Sequence, residues 1–144
     1  MTDDKNKIRE AILRDFENNG PDALKEADSS MKADLELFIA AVQQNGMALE
    51  HADDSLKANR EVVIQAVKQW GSALKFADDS LKGDYAVVLE AVKQNGNALR
   101  FAKDSIKADR EFLLAAVKLD GFALNCADEK LQNDPELRRI SGMD

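Results

Sequence analysis

The chain has 144 residues, with 20 Lys and Arg against 27 Asp and Glu for a formal net charge of −7, 44% hydrophobic and 33% charged residues, and only two prolines. This is one domain's worth of soluble, ordered, helical protein. The acidic excess runs through the repeated part of the chain and opposes contact with a phosphate backbone, which argues against nucleic acid, while a single cysteine, Cys126, excludes an internal disulfide and a cysteine-based metal cage.

The first ten residues, MTDDKNKIRE, are polar and mixed in charge, without the apolar run that a signal peptide or membrane span needs. A cytoplasmic setting is expected, the protein's own or a host's. Farther on a pattern recurs in strict register. Gly46, Gly71, Gly96 and Gly121 fall 25 residues apart, as do Leu49, Leu74, Leu99 and Leu124, and Asp34, Asn59, Asp84, Asp109 and Asp134 open successive units. Fixed self-similarity on this scale marks stacked repeats. The expected fold is all-α: an α-solenoid, of either hand, of four complete 25-residue helix-turn-helix repeats in a single domain, 1–144. The repeats are 34–58, 59–83, 84–108 and 109–133, between an imperfect N-terminal cap unit at 1–33 and a truncated C-terminal cap helix at 134–144.

In the cap unit, Ala23, Leu24, Ala27, Met31 and Lys32 align with Ala48, Leu49, Ala52, Leu56 and Lys57, with one extra residue around NNGPDAL. In each complete unit the opening Asp or Asn reads as a helix N-cap. Glu36, Glu61, Glu111 and Glu136 follow two places later, where a negative charge meets the positive end of the helix dipole, and Pro135 takes the first helical position. A helix body such as VVIQAVKQWG, from Val62, runs about three turns and stops at the recurring glycine, which is expected to close it in the left-handed conformation. A second, shorter helix carries the stripe Ala73, Leu74 and Ala77. A DDSLK-type turn then returns Leu56, Leu81, Ile106 and Leu131 to the core.

The apolar positions of the first helix, for instance Val87, Val88, Leu89, Ala91 and Val92, cover an arc of about 200°. Such a helix must be covered on two sides, by its partner helix and by the next unit, and Ala48, Ala73, Ala98 and Ala123 let those elements approach closely. At the end of the chain, Arg138 and Arg139 stand where an internal unit carries Leu113 and Leu114, as the solvated face of a terminal unit requires.

The recurring NGxAL, then A, then LK, an Asp or Asn, and AV before the next glycine resembles the helical repeat family named domain of unknown function 4116, found in bacteria and some protists. The resemblance extends over nearly the whole chain and departs at Trp70 in QWG and at Leu119-Asp120 in KLDG. It implies a helical fold and a bacterial, host-associated protein, and it carries over no catalytic residue.

The residues that occur once are placed by the repeat. His51 and Cys126 share a position with Phe76 and Phe101, so both are expected in a half-buried column and neither as a catalytic group; no catalytic residue, metal site or cofactor is expected. Asp53-Asp54 and Asp78-Asp79 lack calcium-loop spacing and read as caps of the turn. Asn45, Asn95 and Asp120 are expected to point inward as a ladder that satisfies backbone groups at the turns, with Trp70 interrupting it.

The candidate partner-binding residues are Trp70 as an aromatic anchor beside Met47 and Phe122, a lysine row of Lys68, Lys93 and Lys118, and an amide row of Gln44, Gln69 and Gln94. A basic amphipathic helix for membrane docking is missing. The expected function is a protein–protein interaction module or scaffold, monomeric, whose partner is another protein. The alternatives are a structural, self-associating repeat protein and an enzyme with an unrecognised site.

Overall fold

The carboxylate or amide that opens each unit accepts backbone N–H groups two or three residues on, and this sets the start of each long helix. Asp34 accepts from Leu37 N, Asn59 from Val62 N, Asp84 from Ala86 N and Val87 N, Asp109 from Phe112 N, and Asp134 from Glu136 N and Leu137 N. The computed structural model describes residues 2–143, so Met1 and Asp144, the outermost residues of the expected caps, lie outside the described residues. Among the described residues every regular element is helical. The long helices are α1 (Thr2–Asn19), α2 (Leu35–Gln44), α3 (Arg60–Gln69), α4 (Tyr85–Gln94), α5 (Arg110–Leu119) and α6 (Pro135–Ser141).

Between the long helices the chain differs in detail from the sequence reading. The expected second helix is a 3₁₀ helix, formed by Gly20–Leu24, Gly46–His51, Gly71–Phe76, Gly96–Phe101 and Gly121–Cys126. The expected turn is itself a four-residue helix, at Ser29–Lys32, Asp54–Lys57, Asp79–Lys82, Asp104–Lys107 and Glu129–Gln132. Its N-cap is the first aspartate of the pair. Asp53 accepts from both the amide and the hydroxyl of Ser55, and Asp78 does the same with Ser80. Those carboxylates are occupied by capping.

Apolar side chains at the expected positions form one continuous core. Val62, Val63, Ala66 and Val67 of α3 and Val87, Val88, Ala91 and Val92 of α4 are fully buried, as are Leu49, Leu74 and Leu99 of the 3₁₀ helices. Each long helix packs against the next and against its own 3₁₀ helix, so the wide apolar arc is covered on both sides. At the amino end α1 lies on α2, with Phe16 buried and Ile12 and Leu13 packed at the margin.

The recurring glycines work differently from the expectation. Among the described residues only Gly20, at φ 71°, and Gly142, at φ 79°, are left-handed. The long helices α2 to α5 end instead on an extended residue, Asn45, Trp70, Asn95 or Asp120. The internal glycines are needed because the next unit lies against them. A Cβ at Gly46 would meet Ala66 O at 2.5 Å, one at Gly71 would meet Ala91 O at 2.5 Å, and one at Gly96 would meet the Asp120 carboxyl carbon at 2.6 Å. Both left-handed glycines lie outside the regular register: Gly20 falls in the segment before Asp34, near the one extra residue of the sequence, and Gly142 closes α6 with Met143 N donating to Arg138 O at 3.0 Å.

The amide ladder is also different. Asn45 and Asn95 do not chain along the stack; each caps its own 3₁₀ helix, accepting from Met47 N and Asn97 N. Only Asp120 does both, accepting from Phe122 N with one oxygen and from Gly96 N of the preceding unit, at 2.7 Å, with the other.

Successive units are stitched by one backbone hydrogen bond each: Asp53 N to Lys32 O, Asp78 N to Lys57 O, Lys103 N to Lys82 O, and Asp128 N to Lys107 O, at 2.8 to 3.0 Å. Arginine adds a second link at the helix starts. Arg9 grips Asp34 with two hydrogen bonds, Arg60 reaches Asp84 at 3.0 Å and Arg110 reaches Asp134 at 2.8 Å. Tyr85 stands where Arg60 and Arg110 stand in their units and meets Phe112 edge-on, 5.2 Å between ring centres. At this junction α5 sits less closely against α4 than α4 does against α3, and the 3₁₀ helices draw together. Phe112 stands here in the place of the smaller Val62 and Val87.

Candidate functional site

Because the long helices follow one another in the same sense, their C-terminal ends line one edge of the molecule, and the candidate residues gather there. Lys68, Lys93 and Lys118 are exposed in the last turns of α3, α4 and α5. Among the described residues none of the three forms an ion pair, whereas Arg9, Arg60 and Arg110 at the opposite ends all do. Gln44, Gln69 and Gln94 are exposed beside them. Gln94 is more than decoration: its Oε1 accepts the Gly71 N–H of the preceding unit at 2.6 Å.

Shallow depressions lie in the clefts between these helix ends. One of about 330 Å³ is lined by Lys68, Glu90, Lys93 and Gln94. A second, about 240 Å³, is formed by Gln44, Asn45, Gly46, Met47, Gln69 and Trp70. A third of similar size, between Asp120 and Met143, has Phe122 in its wall. The structure therefore brings Trp70 and Met47 together and separates Phe122 from both. The expected three-residue anchor divides into two places because Phe122 belongs to a unit two steps farther along the stack.

Trp70 is half-buried and packs on the core, its ring 6.2 Å from that of Phe76. The Lys75 ammonium lies 5.3 Å from the Trp70 ring and 4.9 Å from that of Phe76, within cation–π range of both. Trp70 offers no side-chain cap to the 3₁₀ helix that follows. Met47 is 41% exposed and Phe122 61%. Sequence reasoning missed Leu119, which is 49% exposed beside Lys118; its signal was a leucine in a row otherwise made of glutamines.

His51 and Cys126 are half-buried like Phe76 and Phe101. The Cys126 sulfur sits 3.6 Å from Asn97 O, and burial pushes its thiol above the ordinary value. The most buried charged group is Asp34. Burial alone would raise its carboxyl, but the Arg9 guanidinium, the Leu37 N–H and the Lys5 ammonium hold it below the usual carboxylate range. This cluster was also missed, although the pattern was present: Arg60 and Arg110 precede the caps Asp84 and Asp134, whereas Leu35 precedes the uncharged cap Asn59.

Short helical units stacked side by side through shared backbone hydrogen bonds define a helical-repeat protein. The family model described as domain of unknown function (DUF4116) matches residues 4–57, 59–107 and 109–140, and the chain belongs to that family. The second and third matches begin two 25-residue steps apart, so the family's own unit holds a pair of these steps. No curated protein and no solved structure matched the chain. Among the described residues no helix is long and apolar enough to cross a membrane.

Proposed function

We propose that this protein is a protein-binding module, an α-solenoid of four complete 25-residue units between an N-terminal cap unit and a C-terminal cap helix, and that the edge formed by the helix ends holds another protein. The observation that carries the reading is the exposure of Met47, Leu119 and Phe122 on the same edge as three lysines that form no ion pair among the described residues. Large apolar side chains left in water beside shallow depressions are the raw material of interfaces, and a repeat array extends them into a surface. The module acts as a monomer in the cytoplasm of its own cell or a host's, and binds without chemistry or cofactor. Open depressions between small units favour recognition over catalysis, which wants an enclosed site with convergent polar groups.

The test is a pull-down from bacterial and host-cell lysates with the natural protein, Trp70→Asn and Phe122→Asn, beside sedimentation velocity at rising concentration. A partner retained by the natural protein and lost with either substitution supports the module. A mass that rises with concentration and falls back with Phe122→Asn would replace it with self-assembly, and no partner at a constant mass would remove the reading.

A further inference from the structure

Charge is not spread evenly over this acidic molecule. The N-terminal ends of the long helices hold Asp34, Asp84, Asp109 and Asp134 with Glu36, Glu61, Glu111 and Glu136, and the arginines among them, Arg9, Arg60 and Arg110, are consumed in ion pairs with those carboxylates. The C-terminal ends hold Lys68, Lys93 and Lys118, exposed and, among the described residues, without a carboxylate in ion-pair range. Glu90 shares the depression with Lys68 and Lys93 but forms no such pair. Lys75 adds a fourth cation, parked over Trp70. Lys68, Lys93 and Lys118, without a salt-bridge partner among the described residues of a chain of net charge −7, are complementary to acid supplied from outside.

Apolar side chains mark the two ends of this lysine row. Met47 and Trp70 share the depression between α2 and α3. Leu119 is exposed beside Lys118, and Phe122 and Met143 line the depression between α5 and α6. Packed helices stand about 8–10 Å apart, and a peptide in the polyproline II conformation advances about 3.1 Å per residue with three residues per turn, so each step along the stack corresponds to about three residues and returns a side chain to the same face. The two apolar places, three steps apart, are then about nine residues apart on that segment.

We propose, building on the protein-binding reading, that the segment this edge takes is an acidic peptide in the extended polyproline II conformation, with a carboxylate at about every third position for Lys68, Lys93 and Lys118 and an apolar side chain at each end, about nine residues apart. The lysines steer and orient the segment, and the Met47–Trp70 and Phe122–Met143 depressions fix its register.

The experiment is selection from a displayed library of random peptides of about twelve residues, slightly longer than the span, against the full chain and against the triple variant Lys68→Gln, Lys93→Gln, Lys118→Gln. Gln43 already occupies the matching place in the first complete unit, so the variant is expected to fold, and circular dichroism checks it. The expected result is enrichment of Asp- and Glu-rich peptides with apolar residues near both ends, bound about tenfold more weakly by the triple variant and more weakly at high salt. Enriched peptides without an acidic bias, or acidic ones held equally by the variant, would overturn the proposal and leave the binding module standing. If the natural protein enriches no peptide at all, this proposal falls, and the lysate pull-down decides the module reading separately. A labelled poly(U) strand bound by the natural protein and released by the variant would give the edge to nucleic acid instead.

Discussion

Gly71→Ala tests why the glycines recur. A Cβ at Gly71 would stand 2.5 Å from Ala91 O, whereas ordinary contact begins near 3.4 Å, so the end of α4 must retreat by about 0.9 Å. That retreat works against a buried, close-packed junction and pulls on the hydrogen bond from Gly71 N to Gln94 Oε1, 2.6 Å long. Overpacking costs about 1–3 kcal/mol and a weakened hydrogen bond about 1 kcal/mol, while the stiffer unfolded chain returns about 0.4–1 kcal/mol. The net expectation is about 2 kcal/mol of destabilisation, a drop of about 6 °C in melting temperature for a chain of this size.

Two controls separate the mechanisms. Gly83 has φ −105° and its added Cβ would meet only the flexible end of Lys103, so Gly83→Ala should stabilise by about 0.5 kcal/mol; Ala33, Ala58 and Ala108 already hold that place in other units. Gly20 is left-handed in open space, so Gly20→Ala should cost about 1 kcal/mol from backbone strain alone. Urea unfolding followed by circular dichroism at the helix band measures all three. A Gly71→Ala protein as stable as the natural one would refute the close-approach account, and a Gly83→Ala protein as destabilised as Gly71→Ala would show that loss of glycine, rather than the neighbour, matters.

Lys103 is the unit's only break in the series of capping aspartates Asp53, Asp78 and Asp128 and makes no side-chain cap; Lys103→Asp should stabilise by about 0.5–1 kcal/mol in the same urea assay. Asp34 is held below the ordinary carboxylate value in the folded chain. Its contribution is therefore complete above the unfolded value of about 3.9 and is lost as pH falls through the folded one. Asp34→Asn keeps a side chain that caps at Asn59, so it should lower the melting temperature near neutral pH and flatten the acid side of the profile; an unchanged acid slope would show that Asp34 does not set it. The Cys126 thiol, raised by burial, should react with iodoacetamide more slowly than a cysteine peptide at pH 8 and match it in urea, with equal folded and peptide rates refuting the burial.

Much of this fold is legible because its signals are local. Asp34, Asn59, Asp84, Asp109 and Asp134 cap helices by bonding amides two or three residues away, so their meaning lies within a few positions of sequence. The same holds for the serine-capped aspartates and for Pro135. The half-buried column of His51, Phe76, Phe101 and Cys126 was legible for another reason: in a regular stack, equal repeat positions receive equal surroundings. For the candidate site, exposure of the Lys68, Lys93 and Lys118 row followed from helical periodicity, and the 25-residue register already sets Phe122 two units beyond Trp70; the engagement of Gln94 with Gly71 did not follow, because it depends on what the next unit places opposite.

The sequence by itself determined the long helices, their starts, the 25-residue register and the faces that must be buried, since backbone capping and apolar periodicity act over one or two turns. Only the tertiary structure decided that the recurring glycines serve close approach, that one backbone hydrogen bond to the carbonyl of Lys32, Lys57, Lys82 or Lys107 ties each unit to the next, and that, among the described residues, Lys68, Lys93 and Lys118 on one edge stay without an ion pair while the arginines on the other are bound. Glycine is equally suited to a left-handed turn and to a tight contact. Which of the two it serves is settled by the distance to a carbonyl twenty residues away.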